Sequence, residues 1–275
     1  MQLKDRILLR LARKVLGRNT AFAGRHAGES CYLFGNGASI KHYDLGQFND
    51  KIGIGCNNLF FHKDFLNLDV RYYYTGHPFL YYPFWSNPYS NKYEKNILGS
   101  IYRKKIILSQ HVTYFMSLSD YISIRRRNIY YCHHFGQGFK GYANNKIDGV
   151  FTAMESGLGG MLGMAIFMGF TDVTLVGCDY LCFPQGQGHF FETGVRPQTF
   201  WKEPVSEEFL SDASKHTDLK VLTLNDSYRG HILPHISYEE FTGQKPIFRE
   251  NDKLVSEQDL HDLNLSGMRY RVYGS

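Results

Sequence analysis

The sequence predicts an α/β domain built on a central, mostly parallel sheet. Three observations carry this. Short apolar runs stop in small or amide-bearing residues, as Cys31-Tyr32-Leu33-Phe34 does in Gly35-Asn36-Gly37-Ala38-Ser39-Ile40-Lys41. A small-residue helix opens near Ser156-Gly157, stops at Gly169 and feeds a strand that ends in Gly177-Cys178-Asp179-Tyr180. Strand-like and helical stretches alternate, and in open parallel sheets ligands gather outside the carboxyl ends of the strands.

Residues 2–18 form a basic amphipathic segment in which Leu3, Ile7, Leu11 and Val15 recur every four residues, with Lys4, Arg6, Arg10, Arg13, Lys14 and Arg18 around them. Two readings follow: the helix lies against an anionic membrane surface, or it packs on its own domain or a second subunit, which leaves a homo-oligomer open. Residues 1–24 are this helix with its linker.

The core domain spans residues 25–228. Its first strand, at 31–35, enters the Gly-Asn-Gly turn, and a short helix is expected at 40–48. The full dinucleotide fingerprint needs a third glycine, and Ile40 stands in its place, so a nicotinamide or flavin site is disfavoured. A second strand at 51–55 ends in Cys56-Asn57-Asn58, and a third, Val70–Thr75, in Gly76-His77-Pro78. Further strands are read at 106–108 and 129–132, and 79–100 as an aromatic excursion. Ser156 and Gly157 at a helix start offer amides to an anion. Residues 181–216 read as a lid containing His189-Phe190-Phe191-Glu192, with a helix from about 206 to 215 and a last strand at 219–224. Residues 229–275 are a polar C-terminal extension of weak periodicity.

The candidate site is drawn from these strand ends: Gly35, Asn36, Gly37, Ser39, Asn57, Asn58, Thr75, His77, Ser156, Gly157, Asp179 and Tyr180. Each also has a structural reading as turn or cap chemistry. With 31 basic and 26 acidic residues the net charge is +5, too even for a nucleic-acid coat. The five cysteines, with no C-x-x-C pair, read as reduced buried thiols of a cytoplasmic protein. No stretch is apolar enough to span a membrane, and no signal peptide is visible.

Taken together, Gly35-Asn36-Gly37-Ala38-Ser39-Ile40-Lys41, Cys56-Asn57-Asn58, Ser156-Gly157, Met168-Gly169-Phe170 and Gly177-Cys178-Asp179-Tyr180 resemble the bacterial sialyltransferases that decorate lipooligosaccharide, in order and in approximate spacing. The similarity covers roughly residues 30–182. It implies a glycosyltransferase with one Rossmann-like domain and a lid, a CMP-activated donor of the sialic acid or Kdo type, inversion at the anomeric carbon, and neither metal nor cofactor. It implies Asn36 near the donor phosphate, Asn57 on the nucleotide, and Ser156 and Gly157 on cytosine or phosphate. The family's asparagine after the third strand is replaced here, near Gly76-His77. Its catalytic histidine has no clean counterpart. His216 falls a few residues late, and His189, inside the lid, is the other candidate.

The residues alone support the same chemistry. No Asp-x-Asp occurs, so amides, hydroxyls and a helix start are left to stabilise a leaving phosphate. A neutral histidine suits the base that deprotonates an acceptor hydroxyl. The acceptor would be a glycan or glycolipid of the bacterial surface, and the expected location is cytoplasmic, peripheral to the inner membrane face. Two other functions remain open on sequence: a Mg²⁺/ATP-dependent pyrophosphokinase-like phosphotransferase, and a non-catalytic nucleotide-binding module of a polysaccharide-assembly complex.

Overall fold

The protein was analysed as a computed structural model, which describes residues 3–76, 81, 94–134, 139, 141–152, 156–184, 188–193 and 207–265. The strands are β1 (Ser30–Phe34), β2 (Ile52–Cys56), β3 (Val70–Thr75), β4 (Thr113–Ser117), β5 (Ile129–His134), β6 (Val150–Phe151), β7 (Asp172–Val176), β8 (Cys182–Phe183), β9 (Asp218–Thr223), β10 (Arg229–Gly230) and β11 (His235–Ser237). The helices are α1 (Leu3–Leu16), α2 (Glu94–Leu108), α3 (Gly157–Met168), α4 (Glu207–Ala213), α5 (Tyr238–Thr242), α6 (Asn251–Leu254) and α7 (Glu257–Leu265).

Nine strands form one sheet in the order β11-β9-β7-β1-β2-β3-β4-β5-β6. Every neighbouring pair in it is parallel. The fold is therefore a single Rossmann-like α/β domain. A parallel sheet is covered on both faces, which is why β1 (SCYLF) and β7 (DVTLV) are almost wholly buried instead of alternating. Tyr32 and Phe34 point into one core layer, with Phe48, Tyr73 and Tyr114. Cys31 and Leu33 point into the other, with Leu162, Ala165 and Val173.

The topology sets the site. From β1 the chain winds outward through β2 to β6, then returns to the far side of β1 as β7. The carboxyl ends of β7, β1 and β2 thus flank the point where the winding direction reverses, where a crevice opens in such sheets.

Several expectations change. The stretch at 106–108 is the last turn of α2, not a strand. Ile101, Tyr102 and Ile106 are buried on one helical face, while Ile107 and Leu108 are exposed. A three-residue apolar run cannot distinguish these alternatives. The strand in this region is β4. The helix expected at 40–48 is two 3₁₀ turns, Ala38–His42 and Leu45–Phe48, the second started by Asp44, which accepts a bond from the Gly46 amide.

In α1 the expected apolar stripe divides: Val15 packs against the core, while Ile7 and Leu11 face solvent. Ile7 and Leu11 are 53% and 77% exposed, whereas Ala12 and Leu16 are buried. At about 100° per residue, Leu16 lies opposite Ile7 around the helix. The following 3₁₀ turn is anchored by Asn19, fully buried, which donates to the Tyr131 carbonyl at 2.7 Å. The described part of residues 229–275 is built into the domain: β11 pairs with β9, Tyr43 stacks on Tyr238 at 4.7 Å, and Leu254, Val255, Leu260 and Leu263 are buried.

Candidate nucleotide site

At the switch point lies a cleft of about 560 Å³, part of it open to solvent. The end of β1 contributes Gly35, Asn36 and Gly37, and the end of β2 contributes Cys56 and Asn57. The end of β7 contributes Gly177 to Tyr180, α3 contributes Gly157, Leu158 and Met161, and the turn at 188–189 completes it. The turns are held by backbone. Gly35 N donates to Val176 O and Gly37 N to Gly177 O, each at 2.8 Å. The two glycines of the first turn serve close approach, since a Cβ on Gly35 would lie 2.3 Å from Gly177 O and one on Gly37 2.5 Å from the Asp179 carboxylate. The left-handed backbone at the cleft belongs instead to Gly177, at φ +68°, Gly188, at φ +71°, and Asn57, at φ +51°.

The polar groups divide into those the protein uses and those that face the cleft. Ser39 is used: its amide donates to Asp179 Oδ2 at 2.7 Å and its hydroxyl to Asp179 Oδ1. The Asp179 carboxylate thereby fills the position an anion would take beside this turn. Burial pushes its carboxyl above the ordinary range, opposed by the Ser39 bonds and by nearby His189. Ser156 is the N-cap of α3 and accepts from Gly159 N at 2.9 Å. Gly157 and Leu158, in the first turn of a 12-residue helix, line the cleft. First-turn amides have no intrahelical acceptor and lie at the positive end of the helix dipole. They are suited to an anion.

Asn36 is 9% exposed and donates through Nδ2 to Cys56 O at 3.1 Å. Its Oδ1 is buried with no partner among the described residues, so it offers an acceptor to a bound hydroxyl or amine. His189 pairs in an antiparallel bridge with Gly37, and its Nδ1 lies 3.0 Å from Glu192 Oε1. Cys56 and Cys178 also line the cleft, and burial raises both thiols; all five cysteines are buried and free.

Other expected residues lie elsewhere. Asn58 turns away, its Oδ1 accepting from Tyr102 on α2. Thr75 is buried, with Oγ1 3.4 Å from Tyr81 Oη. His216 is exposed just before β9, at the amino-terminal edge of the sheet, the edge opposite the cleft. His77 lies outside the described residues, as do 185–187 and 194–206 of the expected lid. Leu158, Met161, Gly177 and Glu192 are not among the site residues expected from sequence. The legible signal for Glu192 was its spacing, three residues after His189.

No lysine or arginine lines the cleft among the described residues. Among these residues no three His, Cys, Asp or Glu side chains are grouped so as to hold a metal ion, and no helix is long and apolar enough to cross a membrane.

No protein-family model and no curated protein sequence matches the chain. Among solved structures, it is similar to the sialyltransferase CstII from Campylobacter jejuni in complex with a substrate analogue, cytidine-5'-monophosphate, at 14% identity and a TM-score of 0.43, over 87% of this chain and 99% of that one. A CstII complex with a trisaccharide acceptor and CMP is similar at 15% identity and a TM-score of 0.43, over 86% and 99% of the two chains. The MAf glycosyltransferase from Magnetospirillum magneticum is similar at 9% identity and a TM-score of 0.39, over 94% of this chain and 42% of that one. These likenesses are too distant to carry the functional reading, which rests on the chain's own residues.

Proposed function

We propose that the protein is an inverting, metal-independent glycosyltransferase that uses a CMP-activated nonulosonate of the sialic acid or Kdo type to modify a bacterial surface glycan or a lipid-linked saccharide. The observation that carries this is the cleft itself: a helix-start cradle, a buried acceptor on Asn36 with no partner among the described residues, and a histidine. Two amides and a helix dipole suit one phosphate. A triphosphate would bring several more charges, and among the described residues no lysine or arginine lines the cleft to meet them. In this reading the first turn of α3 holds the leaving phosphate, Asn36 and Asn57 read the nucleoside, and His189 takes the proton of the acceptor hydroxyl.

The exposed stripe of Ile7, Leu8 and Leu11, beside Arg10, Arg13 and Lys14, supports peripheral docking of α1 on the anionic inner face of the cell membrane, where a lipid-linked acceptor would be met.

Thermal shift with CMP, CDP, UDP, ATP and NAD tests the reading. CMP without metal, at about 100 times its Kd, is expected to raise Tm by roughly 5–10 °C. Asn36→Ala is expected to weaken CMP roughly 5–100-fold, the cost of one lost buried hydrogen bond. His189→Ala is expected to keep CMP binding and to lower turnover of CMP-activated donors roughly 10²–10⁴-fold. Stabilisation by ATP with Mg²⁺ alone would point to a phosphotransferase, and CMP binding without turnover of any donor to a binding module.

A further inference from the structure

We propose that Glu192 is a positioning residue for His189, and that the buried side chains of Lys41 and Asn251 fix the turn that carries both. The proposal rests on the reading of His189 as the base in the cleft, and deepens it.

The Glu192 side chain is almost wholly buried, with the residue 2% exposed. A carboxylate in that setting is costly unless its oxygens find donors. Both find them on one residue. Oε1 lies 3.0 Å from His189 Nδ1, and Oε2 accepts from the His189 backbone amide at 3.2 Å. The turn closes with Glu192 N donating to His189 O at 3.1 Å. A carboxylate facing Nδ1 keeps the ring proton there and leaves the lone pair on Nε2, the form a base needs. It also sets the ring plane, which stacks on Phe191 at 5.1 Å and 21°. When Nε2 takes the acceptor's proton, the imidazolium forms beside a negative charge already in place. The proton moves from acceptor oxygen to Nε2, the acceptor oxygen bonds the anomeric carbon, and the bond to the donor phosphate breaks.

The turn is held from beneath. Lys41, fully buried, donates to Glu192 O at 2.5 Å and to Glu250 Oε1 at 2.9 Å. Asn251 Nδ2 donates to Phe191 O at 3.1 Å and to Thr193 Oγ1 at 3.4 Å. From the other side, Phe190 N donates to Asn36 O at 3.1 Å, and Gly37 bridges His189. The histidine is thereby held in register with the turn that carries Asn36. Asp179, bonded to Ser39, is a second acidic group near the ring among the described residues.

Glu192→Gln keeps the volume and loses the obligate acceptor. It is expected to lower kcat for CMP-activated donors about 10–100-fold, with donor KM and CMP affinity changed less than about twofold. Glu192→Asp is expected to restore part of that loss. Unchanged kcat in Glu192→Gln overturns the proposal. A spectroscopic readout separates it from the parent reading: imidazole ¹H–¹⁵N spectra of the wild-type protein are expected to show His189 protonated at Nδ1, and Glu192→Gln to lose that preference. An Nε2–H tautomer in the wild type overturns the pairing whatever the activity. Full turnover in His189→Ala, together with the Nδ1–H signature in the wild type, defeats the base assignment and with it Glu192's part in catalysis, and leaves the pairing as a structural one.

Discussion

At the scale of single residues, Asp120 is a costly feature. It is fully buried, and neither carboxylate oxygen has a partner among the described residues. Burial pushes its carboxyl up to about 8, against the pull of Arg103. The ordinary value is 3.8, so between roughly pH 4 and pH 8 the folded state holds a proton that the unfolded state has released. Its contribution to stability therefore falls as pH rises through that window, and buried Asp179, whose carboxyl is also raised, acts in the same direction. Asp120→Asn cannot ionise. Its Tm relative to wild type is expected to climb from pH 5 to pH 8, at no more than about 1.4 kcal/mol per pH unit. A constant offset across that range would show that Asp120 does not titrate in the fold. The same scale explains which site residues were legible. Asn36, Asn57, Asp179 and His189 stand at strand ends or in a turn, and sequence marks such places. Ser39, Asn58 and Ser156 stand there too, but their polar atoms are taken by Asp179, Tyr102 and Gly159, partners 140, 44 and 3 residues away. Residue type gives donor capacity; only tertiary placement says where it goes.

At the scale of elements, β1, β3, α3 and β7 were legible because a fully buried parallel strand and a small-residue helix leave strong local patterns. The strand β4, TYFMS, has the β-prone composition of a strand but is not framed by a glycine turn, and the neighbouring 106–108 run drew the assignment. The helix α1 shows the limit of periodicity most clearly. Its four-residue repeat runs from Ile7 and Leu11, which are turned to solvent, to Val15, which packs on the core. The solvent-facing part gives a direct test. Ile7→Ser with Leu11→Ser removes mostly exposed apolar surface, so Tm is expected to fall by no more than about 2 °C. Co-sedimentation with vesicles containing about a third phosphatidylglycerol is expected for the wild type and lost in the double variant, with pure phosphatidylcholine vesicles binding neither. Added salt should weaken binding, since exposed charges more than a Debye length from the lipid surface are screened. Equal binding by wild type and variant would rule out this stripe as the docking face, and a concentration-dependent dimer lost in the variant would assign it to a second copy.

At the scale of the whole molecule, the site depends on both ends of the chain's winding and on its C-terminal part. The cleft needs β1, β2 and β7 side by side, and the turn carrying His189 is held by Lys41 from the first crossover and by Asn251 from α6. The C-terminal residues read as weakly periodic because they are short pieces fitted onto a finished sheet, each too brief to show a period. Their burial is nonetheless deep. Tyr238, Leu254, Val255, Leu260 and Leu263 are each at most 2% exposed. At about 1.5–3 kcal/mol for each buried apolar side chain, these five exceed roughly 7 kcal/mol, comparable with the whole stability of a typical domain, about 5–15 kcal/mol. Removing residues 229–275 would also strip β11 from β9 and leave a parallel edge strand unpaired. The truncated chain is expected to lose its cooperative thermal transition and to aggregate, whereas removal of residues 1–8, which precede the buried Ala12 and Leu16, is expected to leave a cooperative melt. A soluble, cooperatively melting chain that ends at 228 and still binds CMP would show that the nucleotide cleft is self-sufficient, and that the Asn251 contact beneath the His189 turn is dispensable for holding it.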